Sequence, residues 1–362
     1  MPRIGPMSFS LSRHTFRGMI WVLSAIFCLG VITFLALSWI GSDQFITPTR
    51  RPLEPRHLEV LARPADFGFD LEAFPVTTHD GFELAALLAT PAKAPGIATK
   101  TRRMAHRLHQ AVPYRPADSP GTVIFLHGRG GRKEDMLSLA ERWVAAGYCC
   151  LVYDARAHGK SGGRFCTFGE KEVRDLTSVL NSGNELLQKR GFPTGEICAV
   201  GISLGASVIL QSLPEETRIV VAVAVAPFSE LSPIVFRAAR RTLSPHLPDS
   251  LIHASLQLGG MRADFDPSRI SPLRQIAVTM TPVFFAHGAL DEVIPFSHSE
   301  ALFSAAPEPK SLRIIPTAYH YNILAEGGDD LYQEMIEFCL NPASRDLTAS
   351  ARHAGAAASR PR

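Results

Sequence analysis

The sequence predicts an α/β fold: a mostly parallel sheet with helices on both faces, preceded by one apolar helix. Three observations carry this expectation. Apolar strands alternate with helical stretches from Gly121 to Leu340, a pattern that arises when both faces of a parallel sheet are buried. The pentapeptide Gly201-Ile202-Ser203-Leu204-Gly205 stands between one such strand and one such helix. Residues Gly18–Gly41 hold no charged side chain over 24 positions.

Composition bounds the rest. The 362 residues are 46% hydrophobic and 20% charged, enough for a sizeable core and too apolar for wholesale disorder. Lys+Arg exceed Asp+Glu by only 37 to 34, which gives no footprint for nucleic acid. Six cysteines in this length cannot make a disulfide scaffold. None forms a C-x-x-C pair, so a zinc finger is excluded.

The N-terminal elements read as a tether. Residues 1–17 are basic, and 18–41 would span about 36 Å as a helix, against about 30 Å of hydrocarbon. Twelve of these 24 residues are Leu, Ile, Val or Phe, favouring insertion by roughly 5 kcal/mol in total. Trp21 and Trp39 lie near the two ends, where indoles suit the interface. A cleaved signal peptide would have a shorter apolar run, and its best site, Ala36-Leu37-Ser38, lies inside the run. We therefore expect an uncleaved transmembrane anchor. Arg17 abuts the span, whereas the first basic residue after it is Arg50. This tilts the N-terminus towards the cytoplasm and the rest of the chain to the non-cytoplasmic side. Cysteines in predicted core strands (Cys149, Cys150, Cys198) weigh the other way.

Residues 42–69, rich in Pro and Arg, read as a linker. Ala73–Thr78, His79-Asp80-Gly81 and Phe82–Thr90 read as strand, tight turn and strand. The stretch 91–120 carries Lys93, Lys100, Arg102, Arg103, Arg107 and Arg115 with no acid until Asp118. It is either a solvated insertion loop or short helix, or a patch resting on anionic headgroups. Thr122–Leu126 is an apolar strand, and Asp135–Ala146 a helix. Tyr148–Tyr153 follows as strand, Gly169–Gln188 as helix, Ile197–Val200 as strand and Leu204–Leu213 as helix. Ile219–Ala226 is a buried strand. Residues 227–281 interrupt the alternation and fit a cap over the strand ends, where open α/β sheets bind ligands. Strands Val283–Ala286 and Leu312–Ile315 flank a helix around Ser299–Ala306, and a last helix covers Asp330–Leu340. The main domain is thus expected over 70–340, with a disordered tail at 341–362.

In a strand–turn–helix setting, a serine at the centre of G-x-S-x-G is held exposed above the sheet, and Gly201 and Gly205 leave room for close backbone approach. A hydroxyl needs a base, and the base an orienting acid. Asp291 and His320 both follow strands directly and so share the sheet edge of Ser203. Glu292 is the alternative acid. His246 and His298 read as surface or cap residues, and His287 as packed in a turn. The helix after Ser203 points its dipole at the site, and an oxyanion needs two backbone donors. These are expected from Leu204 and from the glycine-rich turn His127-Gly128-Arg129-Gly130-Gly131, with the Arg129 N–H as second donor. His127 reads as a structural hydrogen bonder.

The set HGRGG, DARAHGKSGG, GISLG, HGALDEVIP and AYH resembles the α/β-hydrolase superfamily, specifically its serine-aminopeptidase-like, membrane-anchored branch. The resemblance covers about residues 70–340. It implies an eight-stranded sheet and a catalytic triad of Ser203, Asp291 and His320 that cleaves an ester, thioester or amide through an acyl-enzyme. No metal or cofactor is expected, and the partners would be a small-molecule, acyl or peptide substrate and the membrane. The resemblance also implies a structural role for Asp154–Ser161. Its Gly-Lys-Ser is no phosphate loop, because Asp154 stands where that motif needs Gly. An apolar cap (Leu251, Ile252, Leu256, Leu258) favours acyl esters or thioesters over peptides. A catalytically silent binding module and an acyltransferase on the same triad are the rival readings.

Overall fold

The computed structural model describes residues 13–93, 96–111, 120–192, 194 and 196–340. Residues 1–12, the C-terminal tail expected at 341–362, and Arg115 and Asp118 of the basic stretch lie outside the described residues.

In chain order the elements are α1 (Arg13–Ile46), α2 (Pro55–Ala62), β1 (Phe69–Thr77), β2 (Glu83–Pro91), α3 (Thr99–Ala111), β3 (Thr122–Leu126) and α4 (Lys133–Ala145). They continue with β4 (Cys149–Tyr153), α5 (Glu172–Lys189), β5 (Ile197–Ile202), α6 (Leu204–Ser212), β6 (Ile219–Val225), α7 (Leu231–Thr242), α8 (Asp249–Ala263) and α9 (Pro272–Ile276). The last are β7 (Val283–Gly288), α10 (Ser297–Ala305), β8 (Lys310–Ile315) and α11 (Ile323–Leu340).

The eight strands form one sheet in the order β1-β2-β4-β3-β5-β6-β7-β8. β2 pairs antiparallel with both neighbours, and all other pairs are parallel. This is the predicted mostly parallel, eight-stranded α/β-hydrolase sheet. Because successive side chains alternate faces, β3 feeds two cores. Ile124 and Leu126 pack with α5 and α6, while Val123 and Phe125 pack with α4 and α11. The Trp143 ring stands edge-on to Phe125 at 5.4 Å. The chain runs from β3 to β4 on one side and to β5 on the other. The crevice at their carboxyl ends is therefore a topological switch point.

Several boundaries differ from expectation. α5 begins at Glu172 rather than Gly169, because Gly169 sits at φ 130° and the Glu172 carboxylate accepts the N–H groups of Thr167 and Gly169 (both 2.8 Å). α11 begins at Ile323, with a break at Gly328 (φ 56°). The 42–69 segment is not a free linker: α1 continues to Ile46, Pro55 opens α2, and a single 3-10 turn covers Pro64–Phe67. The basic stretch contains a packed helix, α3, which buries Met104 and Leu108. Its Arg103 and Arg107 pair with Asp329 (3.1 Å) and Asp330 (2.7 Å) of α11. Both arginines are thereby matched by acids of the same fold, which favours the solvated insertion over the lipid patch.

α1 is long and apolar enough to cross a membrane, with mean hydropathy 2.6 over its best stretch. Trp21, Phe27 and Ile32 stand clear of the fold. Its last turns do not: Ser38, Ser42 and Ile46 are buried.

Candidate active site

β5 ends at Ile202 and α6 starts at Leu204, leaving Ser203 alone in the turn at φ 54°, ψ −117°. A positive φ is disfavoured for any residue with a Cβ, so the surroundings must impose it. The Ser203 N–H donates to Val225 O (2.7 Å), and its carbonyl accepts from Ser207 N–H (3.0 Å). The flanking glycines have no room for more. A Cβ on Gly201 would come within 2.5 Å of Ala206 N, and one on Gly205 would overlap the Leu126 carbonyl. Gly205→Ala is expected to cost about 1–3 kcal/mol of stability, read as a lower denaturation midpoint.

His320 lies after β8 in a turn closed by Tyr319 N–H donating to Asn322 Oδ1 (2.7 Å). Its Nε2 is 3.1 Å from Ser203 Oγ and its Nδ1 is 2.6 Å from Asp291 Oδ2. With the proton on Nδ1, the Nε2 lone pair faces the serine hydroxyl. Asp291, after β7, is buried, and its Oδ1 accepts the N–H groups of Val293 (2.9 Å) and Ile294 (2.8 Å). Burial alone would raise this carboxyl. Hydrogen bonds from His287, His320 and Ile294 outweigh it and hold Asp291 below the usual carboxylate range. The structure thus brings Ser203, His320 and Asp291 together. Glu292 is exposed, and only its carbonyl is engaged, by Arg237 Nε (2.8 Å).

Two histidines are placed differently from expectation. His287 closes β7 with no solvent exposure, and its Nε2 lies 2.8 Å from Ile294 O and 3.2 Å from Asp291 Oδ2. Its Nδ1 accepts from Ser299 Oγ (2.6 Å), which puts the proton on Nε2. Asp291 therefore has a second imidazole donor that the sequence reading missed; the i, i+4 spacing of His287 and Asp291 was the available signal. His298 is half-buried rather than superficial. Its Nδ1 accepts from Ser229 Oγ (2.8 Å), tying the segment after β6 to α10, and burial lowers its pKa to about 4. His246 is exposed.

The glycine-rich turn closes with Gly131 N–H donating to Gly128 O (2.9 Å), and Gly130 sits at φ 71°. This is the geometry of a turn that needs Gly at its third position. The turn lies against Ser203, since a Cβ on Gly128 would be 3.3 Å from Ser203 Cβ. Arg129 is its second residue, with an N–H that the closing bond does not use. Leu204, first in α6, likewise has no intrahelical acceptor for its N–H. Beneath the turn, His127 Nε2 accepts from Ala155 N–H (3.0 Å) and Nδ1 donates to Gly128 O (2.8 Å). Burial pushes the His127 pKa down, and that of His158 beside it to about 3. Both rings are neutral hydrogen bonders. Asp154 is buried and accepts from Lys133 N–H (2.7 Å), Lys133 Nζ (2.8 Å) and Lys160 N–H (2.8 Å). These bonds fix the 154–161 turn. His79, Asp80 and Asp175 also approach one another. The Arg156 guanidinium already pairs with both of those carboxylates, at 2.9 Å and 2.6 Å.

Comparison with known proteins agrees with this fold. The sequence profile of the alpha/beta hydrolase family matches residues 123–359. The chain is 31% identical over 211 residues to the uncharacterized protein YqkD of Bacillus subtilis (strain 168), covering 57% of this chain and 66% of that one. It is 26% identical over 235 residues to a monoacylglycerol lipase of Mycolicibacterium smegmatis, covering 56% and 82%. In fold it is similar to the Pyrococcus furiosus esterase Pf2001, with TM-score 0.58, 21% identity, and coverage of 81% of this chain and 98% of that one.

Proposed function

The chain belongs to the alpha/beta hydrolase family, and on that premise we propose that it is a membrane-anchored serine hydrolase acting through Ser203, His320 and Asp291. The supporting observation is the continuous path from Ser203 Oγ to His320 Nε2 (3.1 Å) and from His320 Nδ1 to Asp291 Oδ2 (2.6 Å). His320 takes the hydroxyl proton as Ser203 Oγ attacks a carboxylic carbonyl, and Asp291 orients the ring and stabilises the imidazolium. The N–H groups of Leu204 and Arg129 receive the developing oxyanion. His320 then gives its proton to the leaving group, and water, activated by the same ring, releases the acyl group from Ser203. The substrate we favour is an acyl ester. The similarity to the mycobacterial monoacylglycerol lipase supports this choice, as does an α8 that carries Leu251, Ile252, Leu256 and Leu258 beside an apolar anchor. Arg17 abuts the apolar span and no basic residue follows it until Arg50, which favours a hydrolase domain on the non-cytoplasmic side.

A fluorophosphonate probe tests this in membranes from cells making the full chain. Wild type is expected to label, in a pellet that survives an alkaline wash. Ser203→Ala is expected not to label at all. An unlabelled, folded wild type would instead favour the silent binding module.

A further inference from the structure

We propose that the C-terminal end of α1 and the segment that follows it to Arg51 are part of the catalytic scaffold: the Arg129 and Arg51 side chains tie them to the oxyanion turn, so both are positioning residues. This rests on the reading of Ser203 and the Gly128–Gly131 turn given above.

The docking of α1 is extensive. Arg262 of α8 donates to Trp39 O (3.2 Å), Ser42 Oγ (2.5 Å) and Asp43 Oδ1 (2.7 Å), and its guanidinium lies 3.9 Å from the Trp39 ring centre. Gly259 leaves the room that Phe45 and Ile46 occupy. Ile46 is fully buried in the core that also holds Leu204, and its carbonyl accepts from Cys166 N–H (2.8 Å).

Beyond this packing, two arginines cross in opposite directions between the turn and residues 44–51, which hold the helix end and the segment after it. The last carbonyls of a helix have no intrahelical donor and carry partial negative charge. Arg129 reaches out of the turn to them, with Nη2 donating to Gln44 O (2.6 Å), Phe45 O (3.0 Å) and Thr47 O (3.4 Å). Arg51 reaches back, with Nε donating to Gly130 O (2.8 Å) while its other end pairs with Asp135 of α4. Thr49 O lies along Gly130, 3.8 Å from where a Cβ would be. Residues 44–51 thus cover the outer side of the turn, and Gly128 presses its inner side against Ser203. A turn built on Gly128, Gly130 and Gly131 has little conformational preference of its own. An oxyanion donor must nevertheless be held to about 0.5 Å. The two arginines supply that constraint.

The test uses the full chain in detergent and an activated short-chain ester, with kcat expressed per site titrated to completion by fluorophosphonate. Arg129→Ala keeps its backbone N–H, yet kcat per site is expected to fall about 10- to 100-fold, the loss typical of a displaced reacting group, with KM little changed. Arg51→Ala is expected to act in the same direction. Arg129→Lys, which still offers one donor to the carbonyls, is expected to lie between wild type and Arg129→Ala. The double variant is expected to lose little more than the weaker single, because both side chains hold one turn. An unchanged kcat per site in Arg129→Ala, whatever its thermal stability, overturns the proposal, as do fully multiplicative losses. If Arg129→Ala does not fold, Arg51→Ala and Arg129→Lys decide on the same criterion. Failure of the underlying reading looks different: wild type does not label, or Ser203→Ala labels equally.

Discussion

Replacing His320 by alanine is expected to lower kcat for an activated ester by about a million-fold, the scale seen when the base of a serine triad is removed. The ring is the only group within 3.1 Å of Ser203 Oγ that can accept its proton among the contacts of the described residues. Without it the hydroxyl stays protonated, and the leaving group departs without an acid. Because nucleophile and base act as one unit, Ser203→Ala/His320→Ala is expected to be no slower than either single variant. A residual acceleration over water of about a thousand-fold or more is expected from the backbone donors and binding alone. The buried ring leaves a small void, so a modest loss of stability is expected, while Asp291 keeps three other donors: His287 and the N–H groups of Val293 and Ile294. Steady-state kinetics per folded enzyme checks this, and a loss of less than tenfold would remove His320 from the mechanism.

What the sequence discloses depends on how local each cause is. Thr122–Leu126 and Ile219–Val225 are legible because strands buried on both faces need apolar side chains at every position. Their observed burial is nearly complete. Ser203 is legible because close backbone approach demands glycine two residues away on each side. Asp291 and His320 are legible because residues that follow parallel strands arrive at one sheet edge. The misread parts have partners far along the chain. Ser42, Asp43 and Gln44 look like the end of an apolar helix, yet the helix persists to Ile46. Its polar groups and carbonyls are met by Arg129 and Arg262, which are 84 to 220 positions away. Pro55 reads as linker chemistry, but at a first helical position proline suits a helix as well as a loop. His287 is the exception: its partners Asp291, Ile294 O and Ser299 Oγ are near in sequence, and the i, i+4 spacing to Asp291 was the signal left unread.

Asp291→Asn is expected to cost about ten-thousand-fold in kcat while leaving the fold intact, the scale associated with the wrong imidazole tautomer. The surroundings of Asp291 dictate this outcome. The N–H groups of Val293 and Ile294 both donate to Oδ1, so an asparagine must keep its carbonyl oxygen there and turn its NH2 to His320. An NH2 facing Nδ1 forces the ring proton onto Nε2, and the face towards Ser203 then has no lone pair to accept with. His287 keeps a partner, because its Nε2 also lies 2.8 Å from Ile294 O, so no buried donor is orphaned. The pH dependence of stability separates charge from shape. The Asp291 carboxyl is held below its ordinary value in the fold. Its contribution is therefore fully present above the unfolded value of about 3.9 and fades as pH falls through the folded one. Wild type is thus expected to be the more stable at neutral pH, and the two proteins to converge in strong acid. A variant that retains kcat within tenfold would show that the Nε2 lone pair does not depend on Asp291, and would break the chain of bonds on which the hydrolase reading stands.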